Sequence, residues 1–97
     1  MLSTIPIELD EVSQEFLDKE ILRAAIIAEL DAVNLYEQMA ARSKNDLIKA
    51  TLLDVAREEK THVGEFQTLL LKLDNEQVNE LEHGKREIEE LSSERAQ

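Results

Sequence analysis

Two glutamates in this chain occupy positions where a packed helix normally carries apolar side chains. On an ideal helix successive residues turn by about 100°. With Glu59 set at zero, Leu52, Val55, Ala56, Val63, Phe66, Leu70 and Leu73 all fall within roughly 60° of it. His62 lies about 60° away, on the same face and one turn on. Glu58 and Glu65 point about 100–120° off, toward solvent. The same construction puts Glu29 near the centre of a second stripe, made of Leu22, Ala25, Ile26, Ala32, Val33, Tyr36 and Ala40, while Glu20, Asp31 and Glu37 point elsewhere. A carboxylate on an apolar face is costly unless it is paired or bound to a metal. Any fold of this chain has to satisfy both.

The stripes lie on two long helices with little between them. Pro6, Gly64 and Gly84 are the only strong helix breakers, and Ala, Leu, Glu, Lys and Gln dominate the rest. Residues 1–11 read as an extended leader, since Ile5 precedes Pro6 and is biased away from the helical region. A first helix is expected over 13–42, with Asp10 or Ser13 as its cap. Ser43-Lys44-Asn45-Asp46 breaks it, and Asn45 or Ser43 can cap a second helix over 46–73. Asp74-Asn75 is the next capping pair, and a shorter third helix is expected over 76–91, interrupted by Gly84, with 92–97 a frayed tail. Ile27, Leu30 and Leu35 widen the apolar coverage of the first helix toward a second neighbour, and Met39 reads as core. The fold class is all-α: one domain over 1–97, an antiparallel two-helix hairpin with a short C-terminal helix. Two such hairpins would dimerise into a four-helix bundle.

The hairpin brings the polar residues level. Glu29 is about 15 residues, or roughly 22 Å, from the turn, and Glu59 about 14 residues, or roughly 21 Å, beyond it. Glu29, Glu59 and His62 therefore converge. Close carboxylates repel, and a divalent cation replaces repulsion with coordination. Imidazole with carboxylate suits iron, manganese or zinc. In helical bundles that hold two metals, one Glu comes from each of two helices and a Glu-x-x-His pair from each of the other two. This chain supplies half of that set, so a complete site needs two chains. The competing account is a structural ion pair of Glu59 with Arg57 or Lys60, although both bases point off the stripe. Tyr36, one heptad from Glu29, could bond a ligand or simply fill the core. His83 beside Gly84 reads as a surface residue, and Glu87, Glu89, Glu90 and Glu94 as a solvated face.

Composition removes several function classes. With no Cys there are no zinc–thiolate sites, iron–sulfur clusters or thiol nucleophiles. A formal net charge of −11 disfavours nucleic acid and anionic membrane surfaces and favours cations. Met1–Asp10 lacks the basic and apolar regions of a secretory signal, and no apolar run approaches membrane-spanning length, so a cytoplasmic setting is expected.

Glu29-Leu30-Asp31-Ala32-Val33-Asn34-Leu35-Tyr36 and Arg57-Glu58-Glu59-Lys60-Thr61-His62 resemble the two signature segments of the encapsulated ferritins, also called encapsulin-associated ferritin-like proteins. The resemblance covers most of both long helices. It implies a half-ferritin: two hairpins forming a four-helix bundle around a di-iron ferroxidase centre shared between chains, with pairs assembling into a ring, typically a decamer. It implies oxidation of Fe(II) by oxygen and delivery of Fe(III) into the lumen of an encapsulin nanocompartment, within the cytoplasm. The iron ligands would be Glu29, Glu59 and His62 of each chain. Tyr36 would stand behind them, and Asp31 would match an acidic position where metal enters. Leu35 replaces a Trp of some relatives and Ala28 a second acidic residue, which bears on metal access more than on the centre. Relatives carry a C-terminal shell-targeting peptide or are fused to the shell protein, and Ser92–Gln97 contains no such peptide. Two rival readings stand beside this one: a non-catalytic helical oligomerisation module, and a rubrerythrin-like di-iron peroxide reductase. Lack of a Cys-rich rubredoxin segment counts against the full form of the second.

Overall fold

The structure, a computed structural model, describes residues 13–96. It contains three helices, α1 (Gln14–Arg42), α2 (Asp46–Leu73) and α3 (Asn75–Arg95), and no strand among the described residues. The extended leader expected over 1–11 lies outside the described residues, as does Gln97. Among the described residues no helix is long and apolar enough to cross a membrane.

Local chemistry sets the helix ends. Ser13 is the N-terminal cap residue of α1 in extended conformation, and the Phe16 N–H donates to its carbonyl at 3.1 Å. At the other end the Ser43 N–H returns to the Met39 and Ala40 carbonyls, at 3.1 and 3.3 Å. The Asn45 N–H then donates to Ser43 Oγ at 3.2 Å, and Asn45 Oδ1 accepts from the Ile48 N–H at 3.0 Å, capping α2. Asp46 lies in the first turn of α2, where the helix dipole favours a negative charge. A link of Ser43, Lys44 and Asn45 leaves the chain no course but to double back, and α1 packs antiparallel along α2.

The third helix departs from the sequence reading. It starts one residue earlier than expected and runs four residues past Leu91, unbroken at Gly84. Gly84 has no positive φ, and a side chain there would meet nothing. Its cost is the general one for a helical glycine, about 1 kcal/mol, and neighbouring pairs offset part of it. His83 lies between Glu80 and Glu87, with Nδ1 3.4 Å from Glu80 Oε2 and Nε2 3.1 Å from Glu87 Oε1. The expected frayed tail is helical to Arg95, whose charge suits the negative end of the dipole.

The core within one chain is thin. Among the described residues Val33, Ala40, Ala56 and Leu70 are its buried apolar residues, and no large side chain is fully buried. Met39, expected in the core, is 39% exposed, and Leu73, from the α2 stripe, 48%. Ile27 and Leu30 are 40% and 50% exposed, in line with apolar coverage that one hairpin cannot use up. α3 has no buried residue and touches the hairpin little. The radius of gyration is 17.3 Å, against about 12 Å for a compact domain of this length.

Asp74, the single residue between α2 and α3, is the buried polar residue among those described. Its Oδ1 accepts the Gln77 N–H at 3.0 Å, capping α3, and its Oδ2 accepts from Arg23 Nη2 of α1 at 3.0 Å. The Gln77 N–H first, then the Arg23 guanidinium and the Lys19 charge, hold its carboxyl below the usual carboxylate range, against burial, which pushes it up.

Two outcomes follow from this packing. Ala56→Leu adds volume where α2 meets α1 one turn from Glu59, and denaturant unfolding should show a loss of about 1–3 kcal/mol. The Asp74 carboxyl is lowered in the folded state, so its contribution is complete above the unfolded value near about 3.9 and disappears as pH falls through the folded one. Amide hydrogen exchange of α3 should therefore be insensitive to pH-dependent release of Asp74 at pH 5, once intrinsic exchange rates are corrected, and lose protection only below about pH 4.

Candidate metal centre

α1 contributes Glu29, and α2 contributes Glu59 and His62, facing one another across the hairpin at the height the turn dictates. His62 Nδ1 lies 3.4 Å from Glu59 Oε2 and 3.5 Å from Glu29 Oε2. One donor atom from each of the three residues falls within 4.8 Å of the others. The Glu29 and Glu59 side chains are 21% and 18% exposed, and His62 is more open at 45%.

The donor set fits a cation by two measures. Glu29 Oε2 is buried and has no hydrogen-bond partner, because His62 Nδ1 at 3.5 Å stands beside it without bonding it. A buried carboxylate oxygen left in that state is expensive. The spacings also suit coordination. With metal–ligand bonds of about 2.1 Å, adjacent ligands of a tetrahedral or octahedral ion stand about 3.0–3.4 Å apart. The 3.4 Å spacing lies at the upper end of that span and the 3.5 Å spacing just beyond it, within reach of a small side-chain adjustment.

The competing ion pair does not form. Arg57 is bound to Asp54 on its own helix, and Lys60 Nζ reaches across to Glu37 Oε2 on α1 at 3.0 Å. The two flanking bases are committed elsewhere, which leaves His62 as the base beside Glu59. Asp31 and Tyr36 are half-buried and stand outside the three-residue cluster. His83 is exposed on α3, as its setting beside Gly84 suggested. The Lys60–Glu37 bridge and the Arg23–Asp74 bond were invisible in the sequence, because spacing along one helix says nothing about a partner on another.

The family model for rubrerythrin matches residues 20–95, which contain all three donors. The chain belongs to the rubrerythrin family. A ferritin-like–encapsulin shell fusion protein from Pyrococcus furiosus is 66% identical over 73 residues, covering 75% of this chain and 21% of that protein. An encapsulin nanocompartment cargo protein from Myxococcus xanthus is 37% identical over 81 residues, covering 80% of this chain and 60% of its own. The chain thus spans only part of either relative. The crystal structure of the encapsulated ferritin domain from Pyrococcus furiosus superposes with a TM-score of 0.82 at 56% identity, covering 96% of this chain and 97% of that one. The all-α fold expected from composition and periodicity and the resemblance to encapsulated ferritins carried by the two signature segments both hold for this family member.

The orphaned oxygen gives a test independent of any activity. In protein stripped of metal, Glu29→Met removes a buried, unpartnered carboxylate and keeps its length. Unfolding at matched protein concentration with a chelator present should show a gain of about 1–3 kcal/mol. A loss of stability would mean that Glu29 is already satisfied without a cation.

Proposed function

We propose that this chain is a ferroxidase that oxidises Fe(II) to Fe(III) with oxygen, at a di-iron centre completed by two copies of the hairpin. The observation that carries the reading is the convergence of Glu29, Glu59 and His62 around a buried oxygen with no partner. One chain holds one Glu and one Glu-x-x-His pair, half of the carboxylate–histidine set that such bundles use. A second copy meeting the first through the apolar surface around Ile27 and Leu30 would bring the other half and cover what one hairpin leaves exposed.

Each residue has a definite part. Glu29 and Glu59 bind Fe(II) and offset its charge where little water reaches them. His62 turns the lone pair of Nδ1 into the same space, and so must be neutral when the metal arrives. Apolar neighbours on both stripes keep the carboxylates dry enough to prefer a cation over solvent. Tyr36 stands behind the ligands, and Asp31 lies on the route by which metal arrives. The acidic surface draws cations toward the chain as a field. Fe(II), the substrate, gives its electron to oxygen.

Two relatives support the setting. One is fused to an encapsulin shell and another is encapsulin cargo. We place this chain inside such a shell, in the cytoplasm, where Fe(III) leaving the centre is stored and where pairs of chains close into a ring, a decamer by resemblance.

Native mass spectrometry after Fe(II) loading under nitrogen tests the centre directly. We expect two irons per pair of chains in an even-numbered oligomer, and none in Glu59→Ala or His62→Ala. Oxygen uptake should then track bound iron. Parent rates retained in Glu59→Ala would overturn the assignment. Faster turnover with peroxide than with oxygen would favour the rubrerythrin-like reductase, and an oligomer indifferent to iron would favour a purely structural module.

A further inference from the structure

We infer that the Arg23–Asp74 contact, rather than packing, fixes the direction in which α3 leaves the hairpin, and with it the geometry of any assembly built through α3. Packing does not hold α3 in place. None of its residues is buried, and its apolar positions Val78, Leu81, Ile88 and Leu91 are 41%, 45%, 65% and 47% exposed. Where α3 leans over the hairpin there is no interdigitated core but an open hollow of about 360 Å³, with Ile26, Leu70 and Leu81 among the residues lining it. A helix over such a hollow has no ridge and groove to set its angle.

The covalent link is equally undemanding. Asp74 alone joins Leu73 to Asn75, at φ −136° and ψ 87°, so the covalent link leaves the angle to two soft dihedrals. What remains is its carboxylate. Oδ1 is spent on the Gln77 N–H at the start of α3, and Oδ2 on Arg23 Nη2, part-way along α1. One side chain therefore ties α3 to α1 at the point where α2 ends. The carboxylate is shielded, at 12% exposure, so water competes poorly for the bond. Arg23 is 49% exposed, so its loss removes the fastener without emptying a core.

The consequence for assembly rests on the proposed pairing of hairpins. α3 carries an exposed apolar stripe away from each pair, and subunits joined through such arms close into a ring only if the arm angle is fixed. Removing the pin should leave the iron-binding pair intact and blur the size of the closed assembly.

The chain has no cysteine, so labels can be placed without background. Thr51→Cys on α2 and Ser92→Cys on α3, spin-labelled and diluted into unlabelled protein, report the α2–α3 distance by pulsed electron resonance. We expect a narrow distribution in the parent and roughly twofold broadening or a shifted mean in Arg23→Gln and Asp74→Asn. Asn still caps helices as well as Asp does, so Asp74→Asn removes the charge contact and keeps α3 started. Arg23→Lys should restore part of the narrow distribution. Unchanged distributions in both variants would overturn the inference, since packing would then be holding α3. Native mass spectrometry of Arg23→Gln loaded with Fe(II) should give the parent iron count per chain but several oligomer sizes. A single parent-sized oligomer alongside a broadened distance would overturn the assembly half. Failure of the ferroxidase reading shows separately, as no iron in the parent, and leaves the distance result standing.

Discussion

A carboxylate oxygen that is buried and unpartnered is the constraint on which the rest of this structure turns. Glu29 Oε2 is buried without a hydrogen-bond partner, and Glu59 and His62 stand beside it while Arg57 and Lys60 are engaged elsewhere. Within the chain the facing group is His62, which pairs with that oxygen only when protonated. Protonation of His62, neutralisation of the carboxyl and arrival of a cation are the routes to relief, and the last uses all three residues. The same arrangement explains why α1 and α2 are long and nearly unbroken. Donors on two helices reach one point only if both helices hold their register for several turns on either side.

That register has visible supports. Ala56 lies one turn before Glu59 and is almost wholly buried, which lets α2 approach α1 closely near the donors. Lys60, next to Glu59, reaches Glu37 across the groove. Such a half-exposed bridge contributes little stability, on the order of 0–1 kcal/mol. Its importance is that it keeps a positive charge off the carboxylates. Lys60 bound to Glu37 and Arg57 bound to Asp54 together leave the donors to a metal.

The parts readable from sequence were those governed by periodicity along one element. The stripe centred on Glu59, the selection of Glu59 over Glu58 and Glu65, the hairpin through Ser43–Asn45 and the capping by Asn45 and Asp74 all follow from angles and local hydrogen bonds. The end of α3 does not follow, because 92–97 reads as a frayed tail, whereas the helix continues to Arg95; nor does Gly84 interrupt it, since an exposed glycine with negative φ costs a helix only modestly. The burial of Met39 and Leu73 was also misjudged. A stripe shows that a side chain seeks cover, but which body provides it lies outside one chain. Arg23 with Asp74 is the plainest gap: an arginine on the rim of one helix and a cap residue 51 positions later share no sequence signal.

The thinness of the core has a consequence for how much of this protein a cell can hold in folded form. With no large side chain fully buried among the described residues, a chain that pairs as proposed draws stability from association, and its folded fraction then depends on how many copies are present. Newly made chains below the concentration at which they meet are the ones that proteases and chaperones encounter, and those above it are protected together. Abundance then acts as a threshold: synthesis rate, as much as sequence, decides whether the fold persists.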